Sequence, residues 1–252
     1  GLSREDLNDG DQQISLNAAA TVLDYASNKS GDGCLGLHWA EAFPPGATGV
    51  LGYLMLNAKS ARAAIKALAR YVSLHIEPIE ITFEERDGVG DLVWRYPATL
   101  TAPRTQYISF SMAVTIIRLR KYAGASWMPM GVELEHRELP DRDEWVRVFG
   151  PNVKFDCPGN ALHIRESVLN RSSGDVDLKL FGLIRELGDR MLAERKATTD
   201  IVQVTRKTIV DLFECGEATL EDAAAAMKMA PRTLQGQLGN AGTNFEAVLH
   251  ET

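Results

Sequence analysis

"MKMAPRTLQGQLGNAGTNF", from Met227 to Phe245, decides how this 252-residue chain is read. Pro231 suits the first position of a helix, where its missing N–H has no helical partner anyway. Leu234 and Leu238 recur on one side of that helix, leaving Arg232, Thr233, Gln235, Gly236 and Gln237 on the other. Upstream, Thr219 and Asp222 have the T-x-x-acid form of a capping box, with Asp in place of Glu or Gln. The helix they open turns Leu220, Ala223, Ala224 and Met227 inward, and its small alanines let a second helix come close. Lys228-Met229-Ala230 leaves only a short turn between the two. The spacing predicts a helix-turn-helix whose second helix is free to enter a major groove. An ordinary helical hairpin has the same pattern.

Toward the N-terminus the chain stays helical as far back as Val176. "IVQVTRKTIVDLFECGEATL" reads as a helix ending near Gly216, and "KATTD" (196–200) reads as a linker before it. "VDLKLFGLIRELGDRMLAERK" places Leu180, Ile184, Leu187 and Met191 at spacings of four, three and four, a coiled-coil-like seam. Such a stripe either packs within its own domain or pairs two copies. A homodimer through it, or through the long helix expected over Pro103–Ala123, is the expectation.

Before Val176 helices and strands are mixed. Ile14–Asn28 and "LGLHWAEAF" read as helices, the second stopped by Pro44-Pro45. A Gly-rich passage, "PPGATGVLGYLMLN", leads to "SARAAIKALARYVSLH", with Ser60 as N-cap and Ile65, Leu68, Ala69 and Val72 as the buried stripe. The period then changes to two. "IEITFEER" alternates Ile79, Ile81 and Phe83 with Glu80, Thr82 and Glu84, and "DGVG" and "DLVWRYP" complete a hairpin signal. "GVELEHRE" reads as a strand, Asp141–Phe149 as a short helix, and "PNVKFDCPGNALHIRE" as strand, turn and strand. The fold class is therefore an α+β domain with short antiparallel strands and several helices, followed by an all-α helix-turn-helix segment.

Composition excludes several classes. The net charge of −7 argues against a general nucleic-acid coat or an anionic-membrane binder, though not against a small DNA-reading module on an acidic domain. The longest uncharged run, 42–58, is broken by prolines and glycines and cannot span a bilayer. Cys34, Cys157 and Cys215 have no metal-site or disulfide spacing, and the five histidines are scattered. No nucleophile elbow or phosphate loop is present, so neither catalysis nor a cofactor nor a metal is expected.

The stretch "LEDAAAAMKMAPRTLQGQLGNAGTNFEAVL" (Leu220–Leu249) resembles the first helix-turn-helix of AraC-type bacterial transcription regulators. "GATGVLGYLMLNAKSARAAIKALARYVSLH" (Gly46–His75), "WMPMGVELEHRELPDRDEWVRVFGPNVKFDCPGNALHI" (Trp127–Ile164) and the opening "GLSREDL" resemble the arabinose-binding-like sensor domain of one branch of that family. Together the likeness runs collinearly from Leu2 to about Leu249. It implies a cytoplasmic, homodimeric regulator. Residues 1–196 would sense a small molecule and dimerise, and 197–252 would be the first of two tandem helix-turn-helix units, the chain being cut before the second. The alternative is a ligand-binding and dimerisation module that has lost DNA binding.

Two departures within the segment favour weak DNA contact. Ala230 stands where the family has a Ser N-cap, a loss of about 1 kcal/mol. Gly236 and Gln237 stand where the family carries basic residues. Residues 201–252 hold four basic and seven acidic side chains, a net of −3. Arg232, Thr233, Gln235 and Gln237 are the candidate DNA contacts, Arg232 and Gln235 for base edges and Thr233 for phosphate.

For the effector, the polar and aromatic candidates are Trp39, Tyr53, Arg70, Tyr71, His75, Trp94, Arg95, Tyr107, Trp127 and His136. Each also fits a plain core role. Arg70 falls close to the apolar stripe of its helix, where a charge needs a partner. An anionic effector would supply one, and so would Glu77, Glu80 or Glu84. The site expected is Arg70, Tyr71, His75 and Trp94.

Overall fold

The computed structural model describes residues 15–76, 79–97, 100–213, 218–250 and 252. The chain forms two compact units, Gly1–Gly188 and Asp189–Thr252. The opening "GLSREDL", Glu77, Cys215 and the helix end expected at Gly216 lie outside the described residues.

Local signals start and stop the first elements. Helix α1 (Leu16–Ser30) is capped by Ser15, whose hydroxyl accepts from Ala18 N at 3.1 Å, and ends at Gly31 in the left-handed region. Helix α2 (Leu35–Ala42) stops before the two prolines. A 3-10 turn (Pro45–Thr48) then leads into α3 (Gly49–Leu56). The Gly-rich passage is thus largely helical. Burial of Leu51, Leu54 and Met55 outweighs the penalty of about 1 kcal/mol that Gly52 brings to a helix interior. Helix α4 (Ala61–Tyr71) has Ser60 as its cap and buries Ala61, Ala64, Ile65, Leu68 and Tyr71, and a 3-10 turn (Val72–Leu74) follows it.

Strands β1 (Glu80–Arg86) and β2 (Val89–Arg95) meet through Asp87 and Gly88, both at positive φ. That is the two-residue turn whose twist matches a hairpin. Helix α5 (Thr105–Ala123) follows and buries fourteen of its nineteen residues. It leaves too little exposed surface for the dimer contact considered for it. Strand β3 (Gly131–Glu133), helix α6 (Arg142–Phe149), strands β4 (Val153–Lys154) and β5 (Asn160–Arg165) and the short helix α7 (Glu166–Leu169) complete the unit.

The sheet order is β1-β2-β5-β3-β4, antiparallel except for the β3–β4 pair. Strand β1 lies at one edge and the two-residue β4 at the other. Ile81, Leu92, Trp94, Val132, Leu162 and Ile164 are buried. The strand expected over "GVELEHRE" ends early because Glu135 N donates to the side-chain oxygen of Asn160 at 3.0 Å instead of extending the ladder.

Helix α8 runs unbroken from Leu178 to Phe213. "KATTD" is therefore helix and not a linker. It contains no Gly or Pro, and the weak propensity of threonine, a few tenths of a kcal/mol, does not stop a long helix. In the second unit the later part of α8 packs with α9 (Leu220–Ala226), α10 (Pro231–Asn240) and α11 (Phe245–His250) around Ile209, Ala223, Ala224, Leu234, Leu238 and Val248.

Candidate functional site

The first unit holds a half-open cavity of about 50 Å³. One face of α5 forms its floor. Tyr107, Phe110, Ser111, Val114, Thr115 and Arg118 recur there at helical spacing. Ile81 and Trp94, register partners across the first hairpin, form a facing wall. Leu51, Leu68 and Val72 close the side, with Thr48 from the 3-10 turn and His75 after α4. Phe110 stacks on the half-exposed Trp39 at 4.2 Å between centroids, and Phe43 meets both rings edge-on, so an aromatic cluster borders this end.

Arg118 is only 8 % exposed. Burial lowers its pKa to about 10, which still leaves it charged at neutral pH. Its Nη1 lies 3.9 Å from Met55 Sδ. Burial, with Arg118 nearby, holds His75 below its ordinary pKa, in the neutral form at pH 7. Thr48 Oγ1 and Ser111 Oγ are buried with no hydrogen-bond partner among the described residues. Ser111 stands beside the buried Tyr96 hydroxyl, but the two do not complete a hydrogen bond. No described residue lining the cavity is acidic.

A second, open cleft of about 470 Å³ lies around Asp32, Cys34, His38 and Asp141–Glu144. His38 bridges two carboxylates, Nδ1 to Asp32 at 2.7 Å and Nε2 to Glu144 at 3.1 Å. Burial and the surrounding carboxylates push the Cys34 thiol up to about 11, so it is protonated and a poor nucleophile. Among the described residues no His, Cys, Asp and Glu cluster could hold a metal ion. No described helix is long and apolar enough to cross a membrane.

In the second unit Thr219 caps α9, accepting from Asp222 N at 3.1 Å and donating to the Asp222 carboxylate at 2.5 Å. Helix α9 ends in a Schellman motif, with Met229 N donating to Ala224 O and Lys228 N to Ala225 O. Lys228, at φ 55, takes the left-handed position usually given to glycine. Ala230 caps α10 without a side-chain hydrogen bond. Leu234 and Leu238 are fully buried, while Arg232, Thr233, Gln235, Gly236 and Gln237 are all exposed.

The model of one protein family, described as the arabinose-binding domain of AraC transcription regulator, N-terminal, matches residues 1–173. The chain belongs to this family. Among solved structures, the transcriptional regulator CdpR from Pseudomonas aeruginosa shares 16 % identity, with a TM-score of 0.51 over 86 % of this chain and 70 % of that one. At that identity the likeness concerns fold. No curated protein matches the chain.

The AraC-type sensor unit distributes the four expected effector residues unevenly. His75 and Trp94 line the cavity. Arg70 is exposed, its guanidinium 5.5 Å from the Tyr71 ring centre, and so lies off the apolar stripe expected to hold it. Tyr71 is buried against Gly188 of α8, where a Cβ would stand 3.0 Å from its ring. Arg118, Thr48 and Ser111 were not among the residues expected from sequence. Ser111, Thr115 and Arg118 do form a polar i, i+4, i+7 line on α5, the signal that could have found them. Of the α8 seam, Leu180, Leu187 and Met191 are exposed and Ile184 is half-buried. Leu183, 66 % exposed, lies on the same face.

Proposed function

We propose that this AraC-type chain is a ligand-responsive transcription regulator. A small-molecule effector enters the first unit's cavity, and α10 reads promoter DNA. The observation that carries the DNA reading is α10 itself. Leu234 and Leu238 hold it against α9, and its polar face, from Arg232 to Gln237, is left to solvent. In this reading Arg232 and Gln235 meet base edges and Thr233 meets phosphate near the helix start, with Gln237 one turn on. The stripe of Leu180, Leu183 and Leu187, continued by Met191, supports a homodimer, which suits paired half-sites.

A salt-titrated binding isotherm on the promoter of the protein's own gene tests this. Arg232→Ala costs roughly 1–3 kcal/mol and relaxes preference at one base position. The net charge of −3 over residues 201–252 gives a shallow salt slope, with non-specific dissociation constants no tighter than about 10⁻⁴ M for this segment. Unchanged affinity and base preference in Arg232→Ala would reduce α10 to a packed hairpin.

That acidic balance, with Gly236 and Gln237 on the exposed face, supports the second reading, a ligand-binding and dimerisation module without DNA binding. Effector binding with no DNA binding at any salt concentration selects it.

A further inference from the structure

We propose that the cavity's ligand is a small monocarboxylate with an apolar body, its carboxylate held by Arg118 with the Thr48 and Ser111 hydroxyls. The proposal rests on the reading of this cavity as the sensor site.

Several polar groups of the cavity have a hydrogen to give, and one of them is charged. Arg118 contributes a guanidinium and no acceptor. Thr48 Oγ1 and Ser111 Oγ are buried hydroxyls of the lining with hydrogens to give. The neutral His75 ring can give one more. A carboxylate accepts through two oxygens with about four lone-pair sites, which matches this set. A charge-assisted contact to a guanidinium is also roughly twice as strong as a neutral one.

Apart from Tyr107 and Thr115, the remaining walls are largely apolar and disfavour heavily hydroxylated ligands. Leu51, Leu68, Val72, Ile81, Trp94 and Val114 offer no side-chain acceptor. A sugar would bury several hydroxyls against them unpaired, although the family's name mentions arabinose. An amino acid would bring an ammonium beside Arg118 with no acidic residue among the described lining to receive it. The cavity as it stands has room for only a few water molecules, so the body must be short. Trp94 and Phe110 offer it aromatic faces.

The test uses the full chain with butyrate, hexanoate and benzoate, the matching amides, L-arabinose and L-alanine as probes. Binding is read by calorimetry and by tryptophan fluorescence, since Trp94 lines the cavity. At least one of the carboxylates binds and perturbs the fluorescence, and its amide is weaker by about ten- to a hundredfold. Arg118→Met, which keeps an unbranched chain of similar length, loses the same factor, while Arg118→Lys retains part of the affinity. Thermal unfolding confirms that each variant is folded. Ser111→Ala provides a milder second probe, expected to weaken the carboxylate more than the amide.

The proposal is overturned by an amide that binds as tightly as its acid, by an Arg118→Met variant of unchanged affinity, or by no binding of any of the three acids at millimolar concentration. L-arabinose binding that is abolished by the cavity-filling Val114→Phe would refute the carboxylate and leave the cavity as the sensor. Binding of any probe that Val114→Phe leaves intact would refute the cavity itself.

Discussion

Gly36 of α2 sits directly on Gln106 of α5: a Cβ at Gly36 would lie 2.3 Å from the Gln106 carbonyl oxygen. The Gln106 side chain uses that closeness, accepting from Gly36 N at 2.8 Å and donating to Gly33 O at 2.9 Å. The obstruction is backbone, so no side chain can rotate away. Gly36→Ala is expected to destabilise the first unit by about 3 kcal/mol, at the upper end of overpacking effects. Urea denaturation gives the value, and a loss under about 0.5 kcal/mol, the range of ordinary surface changes, contradicts the packing.

The turn between α9 and α10 holds two departures from good helix-end chemistry. Lys228 in the left-handed region costs about 1 kcal/mol relative to glycine. Ala230 leaves α10 uncapped, so Ala230→Ser gains about 1 kcal/mol. Lys228→Gly and Ala230→Ser should each raise the unfolding midpoint of the second unit. No gain from either would mean that the turn relaxes in solution.

His38 gives the cleft a defined pH response. The Asp32 hydrogen bond, with Glu144 behind it, raises the His38 pKa above its ordinary 6.5. A raised folded-state value stabilises fully below about pH 6.5 and is lost as pH rises through that value. Arg147 holds Glu144 below its ordinary value, so that carboxylate stays charged throughout this window. The melting temperature of wild type should therefore exceed that of His38→Gln most below pH 6.5, and the gap should close toward alkaline pH. The gap will be small, because the ring is partly solvated. A gap that widens with pH contradicts the pairing.

Leu187, 45 % exposed, lies at the middle of the α8 stripe. Leu187→Glu should convert a dimer to monomer in sedimentation at tens of micromolar, with no loss of helix content. An unchanged dimer moves the interface elsewhere.

What could be read in advance was what neighbouring residues decide. Ser60 and Thr219 cap their helices, and Asp87-Gly88 makes its turn, because each signal lies within four residues of its effect. Helix α3 was hidden because Gly49 and Gly52 oppose it locally and only burial against other elements sustains it. Arg118 is hard to read because α5 is buried nearly all round, and the short polar line it shares with Ser111 and Thr115 is easily lost among apolar neighbours. Arg70 is the more visible charge in the sequence. It is two residues from Leu68, which turns it roughly 200° round the helix and into solvent. Strand β3 ended early through a side chain, Asn160, some twenty-five positions away.

The sheet edges bear on how copies of this chain can meet. An uncovered strand with a free row of backbone groups invites pairing with another chain, and charged side chains or brevity discourage it. Strand β1 carries Glu80, Glu84, Glu85 and Arg86 along its edge, with Glu85 gripped by Arg62 of α4 at 2.8–3.0 Å. Strand β4 is too short to template a partner. Strand addition is thereby discouraged at both ends, and the protein is protected from fibrous, open-ended stacking through this sheet. Any self-association is left to surfaces away from the sheet edges.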